Sequence, residues 1–189
     1  MWLLVFVLCI YCFPMKNFFL WSAGILFFGA SVYCFIRNEN LFQKLFLPSL
    51  FSIIGINFLL SAHVYPELLT YQSPDAAGRL IKEKNIPAGQ FVCFNEGTHS
   101  LDFYSQRFVP WIFSPSEIEE KRNSAVLRND VWVYTNEAGK SAILKFGLLS
   151  DSSMLFQHYS VSMLSLPFLN PATRKKELKA KYLLLFRKN

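Results

Sequence analysis

Between Asn17 and Val64 the chain carries two long apolar stretches separated by one short polar loop, and that pairing limits what can be built around it. Asn17–Ile36 is almost wholly apolar over about 20 residues, and at 1.5 Å per residue a helix of that length matches the ~30 Å hydrocarbon core of a bilayer. Phe46–Val64 is also long enough, interrupted by Pro48, Asn57 and the small residues Ser49, Ser52, Gly55 and Ser61. Met1–Phe13 is apolar and uncharged, but about 13 residues reach only ~20 Å, half a span or a span whose beginning is missing. A secretory signal peptide is the competing reading of this first run; no Lys or Arg precedes it and the next segment is apolar again, which argues against it. The expectation is two to three transmembrane helices, about 1–13, 17–36 and 46–64, filling a region 1–64. Composition agrees: 52% hydrophobic residues and a mean hydropathy of +0.26 are too oily for an ordinary soluble domain of 189 residues. Gly24 and Gly29 stand five apart, outside the small-xxx-small spacing of helix dimers.

The stretch Ile56–Arg79 is where oil gives way to water. Tyr65 has the amphipathic ring favoured at headgroup level, with His63 and Glu67 beside it, and Pro66 marks the passage to solvent. Ser73-Pro74 then reads as a helix start, Ser73 as N-cap and Pro74 at the first helical position. Arg37 and Lys44 flank the loop between the second and third segments, against Lys16 alone in the preceding one. The positive-inside rule therefore puts residues 65–189 outside the cytoplasm; the basic residues of that long domain do not vote. The net charge of +6 is read as solubility beside a membrane. No aromatic-basic signature accompanies it, so nucleic acid is not an expected partner, whereas membrane lipid is.

After the seam, helical and extended patterns alternate over one domain's length, predicting a small α/β domain with a mixed sheet over 65–189. Asp75 and Arg79 give an i,i+4 pair on a helix from Pro74 to about Lys84. Gln90–Phe94 reads as a strand buried on both faces, and Pro110 puts Phe108–Ile112 at a sheet edge. Ser116 and Glu119 form a capping box for a further helix. Asp130–Thr135 is strongly β-forming, and a helix follows from Asn136 to Gly147. Met154–Leu164 alternates with one phase slip near Tyr159, as a bulged strand would, and Lys181–Arg187 closes the chain as a strand. Cys93, inside FVCF, is the lone cysteine of this domain and is read as a buried strand residue; Cys9 and Cys12 have CxxC spacing but no second pair.

The order of these pieces carries a resemblance. A last membrane helix with Asn57, then VYPELLTYQS, a helix, a Val-containing strand, SLDFYSQR followed by VP, the strand DVWVYT and VSMLSLPFLNPATR near the end resembles the C-terminal region of bacterial polytopic glycosyltransferases. The similar enzymes are those of the aminoarabinose-transferase and protein-mannosyltransferase-like group, which move a sugar from a polyprenyl-phosphate carrier to an acceptor at the outer membrane face. The likeness runs from about Asn17 to Lys188. It implies membrane lipid, a polyprenyl-phosphate sugar and the remaining transmembrane core of the transferase as partners. In that family the essential acids lie in a first extracytoplasmic loop, and this chain has no such loop. Its only acid before residue 65 is Glu39, on the side read as cytoplasmic. The resemblance thus implies a C-terminal part that is not catalytic by itself. No cofactor or metal is expected in this chain, and the resemblance leaves room for a divalent metal in the complete enzyme.

Transfer from a polyprenyl phosphate needs a carboxylate near the nucleophile and neutralisation of the departing phosphate. No catalytic residue is assigned here. His99, Asp102, Tyr104 and Arg107 gather after a strand end, where α/β ligand sites form, and make the candidate ligand cluster; the plain reading is that they cap and pair around a short helix. His158, between Phe156 and Tyr159, reads as a sheet-face or core histidine. In the basic tail, helical spacing would bring Lys175 and Lys179 to one face with Lys176 beside them, suited to anionic headgroups or a pyrophosphate-bearing lipid; the alternative is a solvated surface. No GxGxxG, P-loop, HExxH, GxSxG or metal-ligand spacing occurs. The rival to a transferase part is a non-catalytic, membrane-anchored envelope domain that binds a glycan or a larger partner.

Overall fold

The computed structural model describes residues 1–97, 99–123 and 130–187. The chain divides into two compact units, Met1–Leu69 with Met163–Lys176, and Thr70–Ser162 with Glu177–Asn189.

In the first unit, α1 (Trp2–Val7) continues into a π turn at Leu8–Cys12. Helix α2 (Phe18–Arg37) begins where the Asn17 side chain accepts from the Phe19 N–H, an ordinary Asn cap. Asn40 does the same for α3 (Leu41–Leu59), which passes through a π turn at Leu60–Val64 into α4 (Tyr65–Leu69). The third apolar helix is therefore longer at both ends than the expected 46–64. Pro66 does not end it. The π turn closes with the Tyr65 N–H on the Leu60 carbonyl, so Pro66 sits at the start of a fresh helical segment, where its missing N–H costs nothing. Among the described residues, Phe18–Arg37 and Leu41–Leu69 are the two helices long and apolar enough to cross a membrane.

Small residues let α2 and α3 approach. A Cβ on Gly55 would come within 2.5 Å of Phe27, and one on Gly24 within 3.1 Å of Leu59, while Gly29 faces open space. Hydroxyls tie the same interface: Ser31 Oγ donates to the Pro48 carbonyl at 3.0 Å and lies 2.9 Å from Ser52 Oγ, which accepts from Trp2 Nε1 at 3.0 Å. Close backbones and hydrogen bonds between helices are how apolar helices associate where no hydrophobic effect separates them from their surroundings.

The second unit is a three-layer α/β/α sandwich. Its sheet has the order β2-β1-β3-β5-β4, from β1 (Phe91–Phe94), β2 (Trp111–Ile112), β3 (Val131–Asn136), β4 (Ser152–His158) and β5 (Lys179–Phe186). Strand β1 runs parallel to β2 and β3, and β5 is antiparallel to β3 and β4, so the sheet is mixed as expected. Period-2 alternation sorts its side chains. Phe91, Cys93, Tyr134 and Leu183 pack under α5 (Ser73–Glu83) and α6 (His99–Ser105), which contribute Ala77, Ile81 and Leu101. Val92, Phe94, Val133, Leu184 and Phe186 pack under Ile118 of α7 (Pro115–Asn123) and Ile143 of α8 (Glu137–Lys145). Gly78 permits α5 and α6 to touch, since a Cβ there would lie 2.7 Å from that of Tyr104.

Several local expectations are corrected. Ser73 lies inside α5 and caps nothing; its hydroxyl is 2.7 Å from the buried Tyr134 hydroxyl. The capping box is Ser114 with Glu117, whose Oε1 accepts from the Ser114 N–H at 2.9 Å, because Pro115 fills the first helical position and fixes the start two residues before the Ser116 frame. The slip near Tyr159 is the end of β4 and not a bulge: the Tyr159 N–H leaves the ladder for the Tyr71 carbonyl at 2.8 Å. The last strand opens at Lys179, two residues before the expected Lys181, and the preceding helical turn, Arg174–Glu177, stops short of it.

Candidate functional site at the carboxyl ends of the parallel strands

Strand β1 is followed through α6 by β2 on one side and, after α7, by β3 on the other, with the two helices on opposite faces of the sheet. Reversals of this kind leave a crevice beyond the carboxyl ends of the strands, the usual ligand position in open α/β sheets. Here β3 ends in Asn136, and Asn95 directly follows the last residue of β1. Asn95 adopts φ 52, a left-handed conformation that Asn tolerates better than most side chains. Asn136 Nδ2 donates to the Asn95 carbonyl at 2.7 Å and to Glu96 Oε2 at 3.1 Å. Asn136 Oδ1 accepts from the Gly139 N–H at 2.8 Å, capping α8, and from Asn95 Nδ2 at 3.2 Å. One side chain thus joins the two strand ends and a helix start.

Lys181 stands directly across from Asn136 on β5 and forms an ion pair with Glu96 Oε2. Its side chain is only 8% exposed and that of Glu96 22%, so the lysine carries its charge into the unit solely because the carboxylate meets it. Cys93 Sγ–H donates to the Glu96 carbonyl; burial, with help from the Glu96 carboxylate and against Lys181, pushes this thiol up to about 12. A thiol held that high is no nucleophile at neutral pH. Burial likewise raises the Tyr134 hydroxyl, opposed by its bond to Ser73. His158, paired in register with Lys179, is driven toward the neutral form first by burial and then by Lys181, and its Nδ1 is buried without a hydrogen-bond partner among the described residues.

Beside this network, at the carboxyl ends of β1 and β2, opens a cleft of about 260 Å³ lined by Cys93, Asn95, Glu96, Gly97, Trp111, Ile112 and Phe113. Gly97 lets Trp111 close in, for a Cβ there would lie 2.8 Å from the indole ring. The His99 ring lies near the same indole, with centroids 5.6 Å apart.

Of the four residues expected to cluster after β1, two are neighbours. His99 Nδ1 lies 3.7 Å from Asp102 Oδ2, and Asp102 Oδ1 accepts from the Val109 N–H at 2.8 Å, folding the chain back toward β2. Tyr104 points instead toward α5, its ring 5.8 Å from the Arg79 guanidinium, and Arg107 donates to the Ile86 carbonyl. Helical spacing separates them: His99 and Asp102 are three apart and share a face of α6, whereas Tyr104 faces Gly78. Lys175 and Lys176 are exposed on the Arg174–Glu177 turn and Lys179 opens β5, so the three share no helical face. Glu96, Asn136 and Lys181 were not singled out by sequence, although an Asn directly after each of the two most β-forming runs was a usable signal. Among the described residues, no group of three or more His, Cys, Asp or Glu is placed to hold a metal ion.

No known protein family, curated protein or solved structure matches the chain.

Proposed function

We infer that the chain is the C-terminal part of an integral membrane glycosyltransferase that moves a sugar from a polyprenyl-phosphate carrier to an envelope acceptor, with the catalytic acids supplied elsewhere. The observation that carries the membrane half of this reading is the state of α2. Of its 20 residues only Gly24 and Ser31 are buried, while Leu26 is 67% and Ile36 74% exposed. An apolar surface of that extent on a 20-residue helix calls for lipid around it. The order of parts, apolar helices and then an α/β unit, supports the transferase half together with the resemblance. So does an apolar groove of about 510 Å³ in the first unit, walled by residues such as Leu8, Tyr11, Val64 and Leu166, which suits an isoprenoid or acyl chain.

In this reading the α/β unit lies on the extracytoplasmic side, where the transfer occurs. The test is photolabelling in bacterial membranes with a photoactivatable polyprenyl phosphate. The expected result is label within the first unit, Met1–Leu69 with Met163–Lys176, competed by unlabelled polyprenyl phosphate and not by an equal excess of phospholipid. Label that both lipids displace alike would reject the reading.

A further inference from the structure

We propose that the cleft at the carboxyl ends of β1 and β2 binds one neutral, polyhydroxylated ring, such as a terminal hexose of a glycan, with Trp111 as its platform and Glu96 as its anchoring acceptor. The inference is carried by the cleft alone and holds whether or not the chain serves a transferase.

Three features select this ligand class. The first is the mixture of surfaces. Trp111 is 41% exposed and Phe113 84%, so the lining offers aromatic surface, while the Glu96 carboxylate and the Asn95 amide add polar groups to it. A pyranose has the matching pair: an apolar face of ring C–H groups and a girdle of hydroxyls. The indole Nε1–H has no acceptor among the described residues and is a further donor at the rim.

The second feature is charge. Glu96 Oε2 is engaged by Lys181 and Asn136, while Oε1 has no hydrogen-bond partner among the described residues and can take a hydroxyl donor. Because Lys181 already balances this carboxylate, the floor has no net charge to attract a cation. The described residues that line the cleft include no Lys or Arg, and the Lys181 side chain is only 8% exposed, so an anionic ligand such as a sugar phosphate would meet the carboxylate without a lysine or arginine in the wall. A neutral donor-rich ring meets neither obstacle.

The third is size and fixity. The cleft of about 260 Å³ falls below the ~300 Å³ at which pockets for drug-sized ligands begin, so it admits one ring and leaves the rest of an oligosaccharide outside. Its walls are set before a ligand arrives: Gly97 seats the indole, and the Asn136 bridge and the ion pair hold the loop after β1. Preorganisation of this kind lowers the ordering cost that usually limits sugar affinity.

The experiment uses the full chain in nanodiscs, labelled with 5-fluorotryptophan, whose four resonances from Trp2, Trp21, Trp111 and Trp132 are assigned by single Trp→Phe variants and followed by fluorine NMR. The probes are the methyl glycosides of glucose, galactose and mannose, with glucose 6-phosphate as the charged control. At least one neutral glycoside should move the Trp111 signal saturably, with a Kd near ~1 mM, and leave the other three in place. Glucose 6-phosphate should bind more weakly than glucose. Glu96→Gln should weaken binding roughly tenfold, as expected for loss of a charged acceptor. Should Glu96→Gln unfold because Lys181 is left without its counter-charge, Phe113→Ala, at an exposed position, should still reduce affinity with the fold intact. The proposal is overturned if no neutral glycoside gives a saturable Trp111 shift, if glucose 6-phosphate binds more tightly than glucose, or if a folded Glu96→Gln or Phe113→Ala variant binds as well as the native chain.

Discussion

Removing the Lys181 ammonium would leave the largely shielded Glu96 carboxylate with, among the described residues, only the Asn136 amide to meet it. Lys181→Met is therefore expected to destabilise the α/β unit by ~3 kcal/mol, the lower end for breaking a buried pair. Most of that loss should return in Lys181→Met/Glu96→Gln, because the amide of Gln needs no counter-charge; urea unfolding of the full chain in detergent measures both. His158 gives a pH-dependent counterpart. Its folded pKa lies below the ordinary 6.5 because of burial and the nearby Lys181 and Lys179, with Glu96 opposing. The unfolded chain therefore takes up the proton first as pH falls. The stabilisation from neutral His158 is full above pH ~6.5 and is lost as pH drops through the lower folded value. Stability should decline from pH 7 toward pH 5, and His158→Phe should flatten that slope; a slope unchanged in the variant would remove His158 from the account.

At the level of elements, Asn136 does the work of a helix cap and of a strand-end clasp together. Asn136→Ala is expected to cost ~2 kcal/mol, near the top of the range for caps, since the Asn95 carbonyl and Glu96 lose a donor as well. Amide hydrogen exchange should show the first turn of α8 and the end of β3 loosening together; loosening of α8 alone would mean that the clasp contributes little. The strands and helices themselves were largely legible. FVCF and VWVYT are short, β-branched and aromatic, and Gly147, at φ 93, ends the α8 segment as a left-handed terminator does. The capping-box frame was not read correctly because two Ser-x-x-Glu frames overlap, and only Pro115, by claiming the first helical position, decides between them. The site was less legible than the fold. Glu96 and Lys181 are 85 residues apart, and a lysine in a basic tail gives no local sign that strand pairing will draw it inside. Asp102 and Arg107 stand out in sequence as charged residues, yet both are engaged with backbone groups, Asp102 with the Val109 N–H after α6 and Arg107 with the Ile86 carbonyl between α5 and β1.

For the molecule as a whole, the sidedness of the α/β unit follows in our reading from the loop between α2 and α3. Arg37 and Lys44 flank it, each with its charge beside an aromatic ring, Tyr33 at 5.7 Å and Phe35 at 5.1 Å. With that loop cytoplasmic, alkaline phosphatase fused after Asn189 should be active in bacteria and a β-galactosidase fusion inactive. The reverse pattern would invert the orientation.

The π turn at Leu60–Val64 has its counterpart in the turn at Leu8–Cys12, and the two meet where His63 Nε2 lies 2.7 Å from the Phe13 carbonyl. A π turn is in effect a single extra residue carried within a helix. Deleting Ala62 would remove that residue and restore regular α geometry, with Tyr65 and Leu68 keeping their place along the apolar groove. A deletion in the regular part of Leu41–Leu59 would instead, at 3.6 residues per turn, rotate everything after it by about 100°. Natural variation in this helix should accordingly tolerate loss of one residue between Leu60 and Val64 and resist it elsewhere.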